Sequence, residues 1–304
     1  MTSPNKQILP ASGRSGTAAR ILTAGVLIPV VVALTLWGPT WLVAACGGLV
    51  ALLAMIEFFA LGDRLTLHSY RLWTSLCALG IFFQQWTASS AQSWRIGRTL
   101  RLTQSSSIPE LPLELVLFVF VIGCAAIIFA SRRPLAGALG DIGISAAGLL
   151  FIALPLSSVV SLHGVPLIGP KLLLFTLVLV WVGDTVAYFV GRSFGRVPMA
   201  AQLSPKKTWE GAAANLLGSA IVGVAFTRWL NIDPLQVVLM ACLANVAGQA
   251  GDLLKSAYKR GAGVKDSGTL LPGHGGVLDR IDALILAAPV VWYYFRFVLA
   301  ARNR

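Results

Sequence analysis

Charge is scarce in this chain. Of 304 residues only 12% are Asp, Glu, Lys or Arg, whereas 56% are hydrophobic. A soluble globular chain carries about 25% charged and about 45–50% apolar residues. The mean hydropathy of +0.77 points the same way. This shortage excludes a disordered chain and an ordinary cytosolic enzyme and leaves an integral membrane protein. Cysteine is scarce as well. Cys46, Cys77, Cys124 and Cys242 stand singly in apolar runs, with no CxxC and no Cys/His ligand spacing. Neither a disulfide framework nor a zinc site is supported. Negative charge is the scarcer sign, with 12 acidic residues against 24 Lys and Arg, a net +12. In a soluble protein that surplus suggests nucleic acid. In a membrane protein it points first to positive-inside topology and to contact with lipid headgroups, and no nucleic-acid partner is expected.

A helix crossing a hydrocarbon core of about 30 Å needs about 20 mostly apolar residues. Nine runs qualify as candidates: 21–37, 41–61, 72–88, 113–130, 141–161, 172–190, 208–228, 235–254 and 280–300. The expected fold is therefore an all-α, polytopic transmembrane bundle of eight to nine spans. The seventh and eighth runs are rich in Gly, Ala and Ser, which predicts close helix approach and a place inside the bundle. Residues 1–19 read as a disordered polar tail and 20–304 as a single membrane domain, with its chemistry concentrated in about 180–300. The polar stretch 89–112 reads as a surface-lying segment. With the N-terminus in the cytoplasm, 16 of the 24 basic residues fall on the cytoplasmic side. That side then holds the two polar loops at about 191–207 and 255–279.

Ionisable residues within spans are costly and usually functional. Glu57 stands alone in the second run and reads as structural. Asp184 shares a helix face with Tyr188, with Arg192 and Arg196 downstream. In Ser204-Pro205-Lys206-Lys207-Thr208-Trp209-Glu210-Gly211, Ser204 and Pro205 fit a helix start. Lys206 and Lys207 would then lie near a positive helix N-terminus, a combination that attracts phosphate. The richest stretch is 251–282. Glycine-rich turns at Gly261, Gly263, Gly273, Gly275 and Gly276 let backbone N–H groups approach phosphate oxygens. Lys259, Arg260 and Lys265 add positive charge, and Asp252, Asp266, Asp279 and Asp282 add hard oxygen ligands suited to Mg²⁺ with substrate phosphates. His274, among glycines, reads as a helper near phosphates. Together these suggest a nucleoside triphosphate site, and the lack of a Walker A pattern excludes a P-loop.

The run Ser256-x-x-Lys259-Arg260-x4-Lys265-Asp266-x-Gly268-x2-Leu271-Pro272-x-His274-Gly275-Gly276-x2-Asp279-Arg280-x-Asp282 resembles the signature of the phosphatidate cytidylyltransferase (CDP-diacylglycerol synthase) family. The 204–211 stretch and Asp184-x-x-Ala187-Tyr188 match that family's habits too, and the likeness covers about 140–300. There are two departures. Tyr258 stands where an aliphatic residue is usual, and Lys255 where the family usually has an acid.

The resemblance implies transfer of a cytidylyl group from CTP to phosphatidic acid, with Mg²⁺ and room for a second cation. It implies Asp252 and Asp279 as metal ligands and Asp266, Asp282, Lys265 and His274 as catalytic. Lys206, Lys207, Lys259, Arg260, Arg280, Asp184 and Ser204 would bind substrate. It also implies an enzyme of a bacterial inner membrane, with its site facing the cytoplasm, and a homodimer. A CTP-dependent lipid kinase, a transporter, and a divergent paralogue of altered or weak activity stay open as rivals.

Overall fold

A computed structural model describes residues 15–99, 111–131, 134–268 and 275–300; of residues 15–24 and 91–99 only the backbone is described. The helices are α1 (Ser15–Trp37), α2 (Thr40–Arg64), α3 (Arg71–Thr99), α4 (Leu113–Ala130), α5 (Ala138–Gly148), α6 (Leu154–His163), α7 (Gly169–Phe194), α8 (Trp209–Leu230), α9 (Pro234–Gly261) and α10 (Leu278–Tyr294). A π turn over Leu149–Ala153 joins α5 to α6, so they form one rod. These helices coincide in place with the nine apolar runs, and the protein is an all-α, polytopic membrane protein. Among the described residues seven helical stretches are long and apolar enough to cross a membrane: α2, α4, α5–α6 together, α7, α8, α9 and α10 with its continuation. The apolar part of α1, Gly25–Trp37, is shorter. The remaining helix, α3, is diluted by Gln84, Gln85, Thr87 and Ser89, and Gln85 accepts a hydrogen bond from Ser161 of α6 at 2.7 Å.

Two expectations about polar segments change. Residues 15–19 are the first turn of α1, while residues 1–14 lie outside the described residues. Residues 89–99 continue α3, while 100–110 of the supposed surface segment lie outside the described residues.

Helix ends follow local chemistry. Asp233 Oδ1 accepts from Gln236 N at 3.2 Å and Pro234 takes the first turn, which starts α9. Asn231, with φ 55°, stops α8 in the left-handed region. Three residues therefore turn α8 into α9, and the two lie antiparallel. Ser204 does not start a helix. Residues Ser204–Thr208 form strand β2, paired antiparallel with β1 (Pro198–Ala200), with Pro198 opposite Thr208 and Ala200 opposite Ser204. Thr208 is the real cap of α8, its Oγ1 accepting from Gly211 N at 3.2 Å. Tertiary contact decides this: a Cβ at Gly191 of α7 would sit 3.3 Å from Thr208 Oγ1, so α8 begins where it meets that flank.

The small residues of α8 and α9 do face neighbouring helices, for α7 packs along α8, α8 along α9 and α9 along α10. The expectation that both helices are enclosed is corrected, because Leu217, Ile221 and Val224 of α8 and Leu239, Leu243 and Val246 of α9 form exposed apolar faces. Enclosure belongs to α10. It packs against α9, α6, α7 and α2, burying Leu278, Ile285, Ala287, Ala288 and Val291 completely. The first turn of this central helix carries Asp279, and Asp282 follows at the start of the second.

Candidate functional site

Asp252, Lys255 and Lys259 follow one another at three- and four-residue steps, so they share one face of α9. Asp279 and Asp282 do the same on α10. The two faces meet because α9 is notched at that level. A Cβ at Gly251 would come within 2.6 Å of the Asp282 carbonyl oxygen. Across this contact Lys255 Nζ donates to Asp282 Oδ2 and lies 3.1 Å from Asp279 Oδ1 and 3.4 Å from Asp252 Oδ1. One turn on, Lys259 Nζ donates to Asp279 Oδ1 at 2.6 Å. The other Asp279 oxygen accepts from Ser267 N at 3.1 Å and Ser267 Oγ at 2.9 Å.

Glu57, near the C-terminal end of α2, closes the site from below. It is 3% exposed and accepts from the backbone N–H groups of Val277 and Leu278, both at 2.9 Å, and from Ser267 Oγ at 3.0 Å. Its negative charge therefore meets the positive end of α10. The glycines of the 251–282 stretch make room for it. A Cβ at Gly268 would lie 2.7 Å from Glu57 Oε1, and one at Gly276 would run into both Glu57 and Ser267. Gly275, with φ +80°, takes the left-handed backbone conformation just ahead of the helix.

The other wall comes from the hairpin, α7 and α8. Lys207 forms an ion pair with Asp252. Asp184 of α7 faces Asp252, Lys207 and Lys255, and the Asn215 side chain of α8 lies beside it. Asn215 belongs to a buried ladder. Asn245 Nδ2 donates to Asn215 Oδ1 and to Ser219 Oγ, the latter at 2.7 Å, and Gln249 Nε2 donates to Asn245 Oδ1 at 2.6 Å. Asn215 Oδ1 is thereby an acceptor, which leaves its amide N–H groups facing Asp184. Acids and ammonium groups from three helices and one hairpin thus stand together at one end of the bundle.

The model of the cytidylyltransferase family matches residues 18–298. The chain belongs to the cytidylyltransferase family. It is 34% identical over 294 residues to the phosphatidate cytidylyltransferase of Haemophilus influenzae, covering 92% of this chain and 99% of that one. It is 44% identical over 133 residues to the uncharacterized protein YnbB of Escherichia coli, covering 42% of this chain and 44% of that one. To the phosphatidate cytidylyltransferase of Brucella abortus it is 37% identical over 176 residues, which is 57% of this chain and 63% of the relative.

Within this cytidylyltransferase-family chain the residues singled out in the sequence divide into two groups. Asp184, Lys207, Asp252, Lys259, Asp279 and Asp282 come together, and Lys255, the departure, sits in their midst. Others lie apart. Lys265 and Asp266 are exposed on the loop after α9, and neither forms an ion pair with a described residue. Arg260 is exposed and donates to the Leu203 carbonyl at 3.2 Å, tying the end of α9 to the hairpin turn. Lys206 is exposed on β2, Ser204 lies at the start of that strand, and Arg280 is exposed in the first turn of α10. His274 lies outside the described residues. Tyr188 does not join Asp184, since its hydroxyl accepts from Arg192 at 2.9 Å on the exposed side. The other departure, Tyr258, packs edge-on against Phe58 and Phe151, with ring centroids at 5.5 and 5.2 Å, and so links α9 to α2 and to the π turn. Asn215, Asn245 and Gln249 were missed by the sequence reading. Amides inside an apolar run were the available signal, because interhelical contacts in membranes use such groups.

The donor set is suited to Mg²⁺ on its open side only. Both Asp279 oxygens are already engaged, and its side chain is 11% exposed, against 30% for Asp252. Among the described residues no three acidic, His or Cys side chains are disposed to hold a metal ion between them. Asp252 with the exposed Asp184 is the pair open to a cation arriving on phosphate, and one or two carboxylates plus substrate oxygens are what Mg²⁺ takes.

Proposed function

We propose that the protein transfers the cytidylyl group of CTP to phosphatidic acid, forming CDP-diacylglycerol and releasing pyrophosphate. The observation that carries this reading is the gathering of Lys207, Lys255 and Lys259 with four carboxylates at one end of a membrane bundle of this family. The positive-inside bias supports a cytoplasmic face for that end, where CTP is present, and a bacterial inner membrane is in keeping with the family resemblance. The diacyl chains stay in the bilayer beside the exposed apolar faces, and the headgroup phosphate enters among the lysines.

A phosphate oxygen of the lipid attacks the α-phosphorus of CTP. A new P–O bond forms, the bond to the β-phosphate oxygen breaks, and its electron pair leaves with pyrophosphate. The attacking phosphate is already anionic at neutral pH, so this step needs no strong base. Alignment and neutralisation of charge supply the acceleration. Lys207 and Lys259 border the opening and suit the phosphates, with Lys206, Arg260, Lys265 and Arg280 forming an outer basic rim. Asp184 and Asp252 would hold Mg²⁺, which supplies positive charge to the triphosphate. Asp279 and Asp282 hold the ammonium groups in place, and Glu57 fixes the helix that carries them. A homodimer is the assembly in keeping with the family resemblance, and cross-linking in native membranes tests it.

The deciding experiment uses purified protein in detergent with phosphatidic acid, Mg²⁺ and CTP labelled at either the α- or the γ-phosphorus. Label from the α position is expected in the lipid, with one pyrophosphate released per lipid product. Label from the γ position in the lipid would establish a lipid kinase instead, and no labelled lipid from either would overturn the proposal.

A further inference from the structure

The lysine at 255 holds a place that the rest of the site leaves for a cation. Its side chain is 6% exposed, and its ammonium group is surrounded by Asp252, Asp279 and Asp282. An ammonium has three protons to donate, and three carboxylates from two helices stand around it. The local charge balances without any ion from solution. Around Lys255, Asp252, Asp279 and Asp282 contribute three negative charges, while Lys255, Lys207 on Asp252 and Lys259 on Asp279 contribute three positive ones; the fourth carboxylate, Asp184, is left over on the open side. Carboxylates this close together, two of them largely shielded from water, need such compensation. Two of these lysines border the opening, whereas Lys255 is enclosed. It therefore cannot reach a substrate phosphate without abandoning the three acids.

We infer that the Lys255 ammonium is a tethered cation that fills the inner position of the carboxylate cluster, so that the site takes up a single exchangeable divalent ion, at Asp184 and Asp252. Lys255 is then a positioning residue. It keeps Asp279 and Asp282 together and, with Lys259, balances their charge at no dependence on ion supply. This inference rests on the cytidylyltransferase reading for its meaning, but it is tested without substrate.

Binding of Mn²⁺ is counted by electron paramagnetic resonance, and melting temperature is followed against K⁺ and Mg²⁺, for the full chain in detergent without nucleotide or lipid. Wild type, Lys255→Met and Lys255→Glu are compared. Methionine keeps the bulk and removes the charge, and glutamate reverses it. Each variant is expected to bind one more Mn²⁺ per chain than wild type. Each should also melt lower in chelator and recover on addition of K⁺ or Mg²⁺, whereas wild type should be indifferent to K⁺. Equal Mn²⁺ counts in all three proteins would overturn the inference. So would variants that no cation restores, because Lys255 would then be a structural ion pair that an ion cannot replace. A wild type that makes no CDP-diacylglycerol yet shows the one-ion difference would sink the proposed reaction and leave the inner cation standing.

Discussion

Glu57 Oε1 lies 2.9 Å from the backbone nitrogen of Val277, across 220 positions of sequence. With the bond from Leu278 N to Oε2, this makes a side chain of the second helix the N-terminal cap of the last one. The consequence is positional. Asp279 and Asp282 follow within the next four residues, so the acids of the site are held by a buried carboxylate that, among the described residues, pairs with no lysine. Ser267 extends the connection, since its single hydroxyl proton serves Glu57 at 3.0 Å and Asp279 at 2.9 Å.

Replacing Glu57 should therefore damage both stability and activity. Glu57→Ala leaves the two backbone donors of Val277 and Leu278 without their acceptor in a buried place, while Ser267 keeps Asp279, and an unsatisfied buried group costs about 1–3 kcal/mol. Glu57→Gln fills the space but turns an N–H towards one of those donors, so it should also destabilise. Thermal unfolding in detergent, read beside CDP-diacylglycerol synthesis, checks this. An alanine variant that melts and works like wild type would show that the α10 cap is dispensable.

Glycine positions offer a paired test. Alanine at Gly276 would press its methyl into Glu57 and Ser267, whereas alanine at Gly261 would meet nothing within 4 Å. Gly276→Ala should lose most activity and stability. Gly261→Ala should be neutral or slightly stabilising, since alanine exceeds glycine in helix propensity by about 1 kcal/mol. Similar losses in both variants would mean that chain flexibility, not room for Glu57, is what these glycines supply.

Much of this architecture is legible in one dimension. A span is a length of apolar sequence, so α2, α4 and α7–α10 lie where the runs lie. The acids and bases of 251–282 also announce themselves by density. What sequence reading cannot reach is pairing at a distance. Glu57 reads as isolated because its partners lie 210 to 221 residues away. Lys255 stands out as anomalous, but its meeting with Asp279 and Asp282 depends on the notch at Gly251 in a helix contact that spacing does not reveal. The hairpin at 198–208 is lost for a different reason. Ser204-Pro205 has good helix-start chemistry, and only contact with α7 moves the true start to Thr208.

That hairpin separates two neighbouring lysines. Successive side chains of a strand point to opposite faces, so Lys207 reaches Asp252 while Lys206 stays exposed. Lys207→Ala should lower kcat/KM for CTP by tenfold or more, about 1.4 kcal/mol of transition-state stabilisation. Lys206→Ala should change it by less than about threefold, with an effect that fades as salt screens the exposed charge. Steady-state kinetics at two ionic strengths decide the matter, and equal losses for the two lysines would contradict the strand geometry.

The amide ladder makes the last prediction, because its members differ in distance from the chemistry. The Asn215 side chain stands beside Asp184, while Ser219 accepts from Asn245 on the far side of the ladder. Interhelical hydrogen bonds in membrane proteins contribute on average about 0.6 kcal/mol each, so Asn215→Ala and Ser219→Ala should lower stability modestly and to a similar degree. Their activities should diverge. Asn215→Ala removes the neutral amide beside Asp184, and kcat/KM should fall by tenfold or more, about 1.4 kcal/mol. Ser219→Ala should retain most activity, because Asn245 keeps its bond to Asn215. The measurement is a melting curve and a rate for each variant. If activity falls in both merely in step with lost stability, the ladder is packing alone and Asp184 needs no positioning by Asn215.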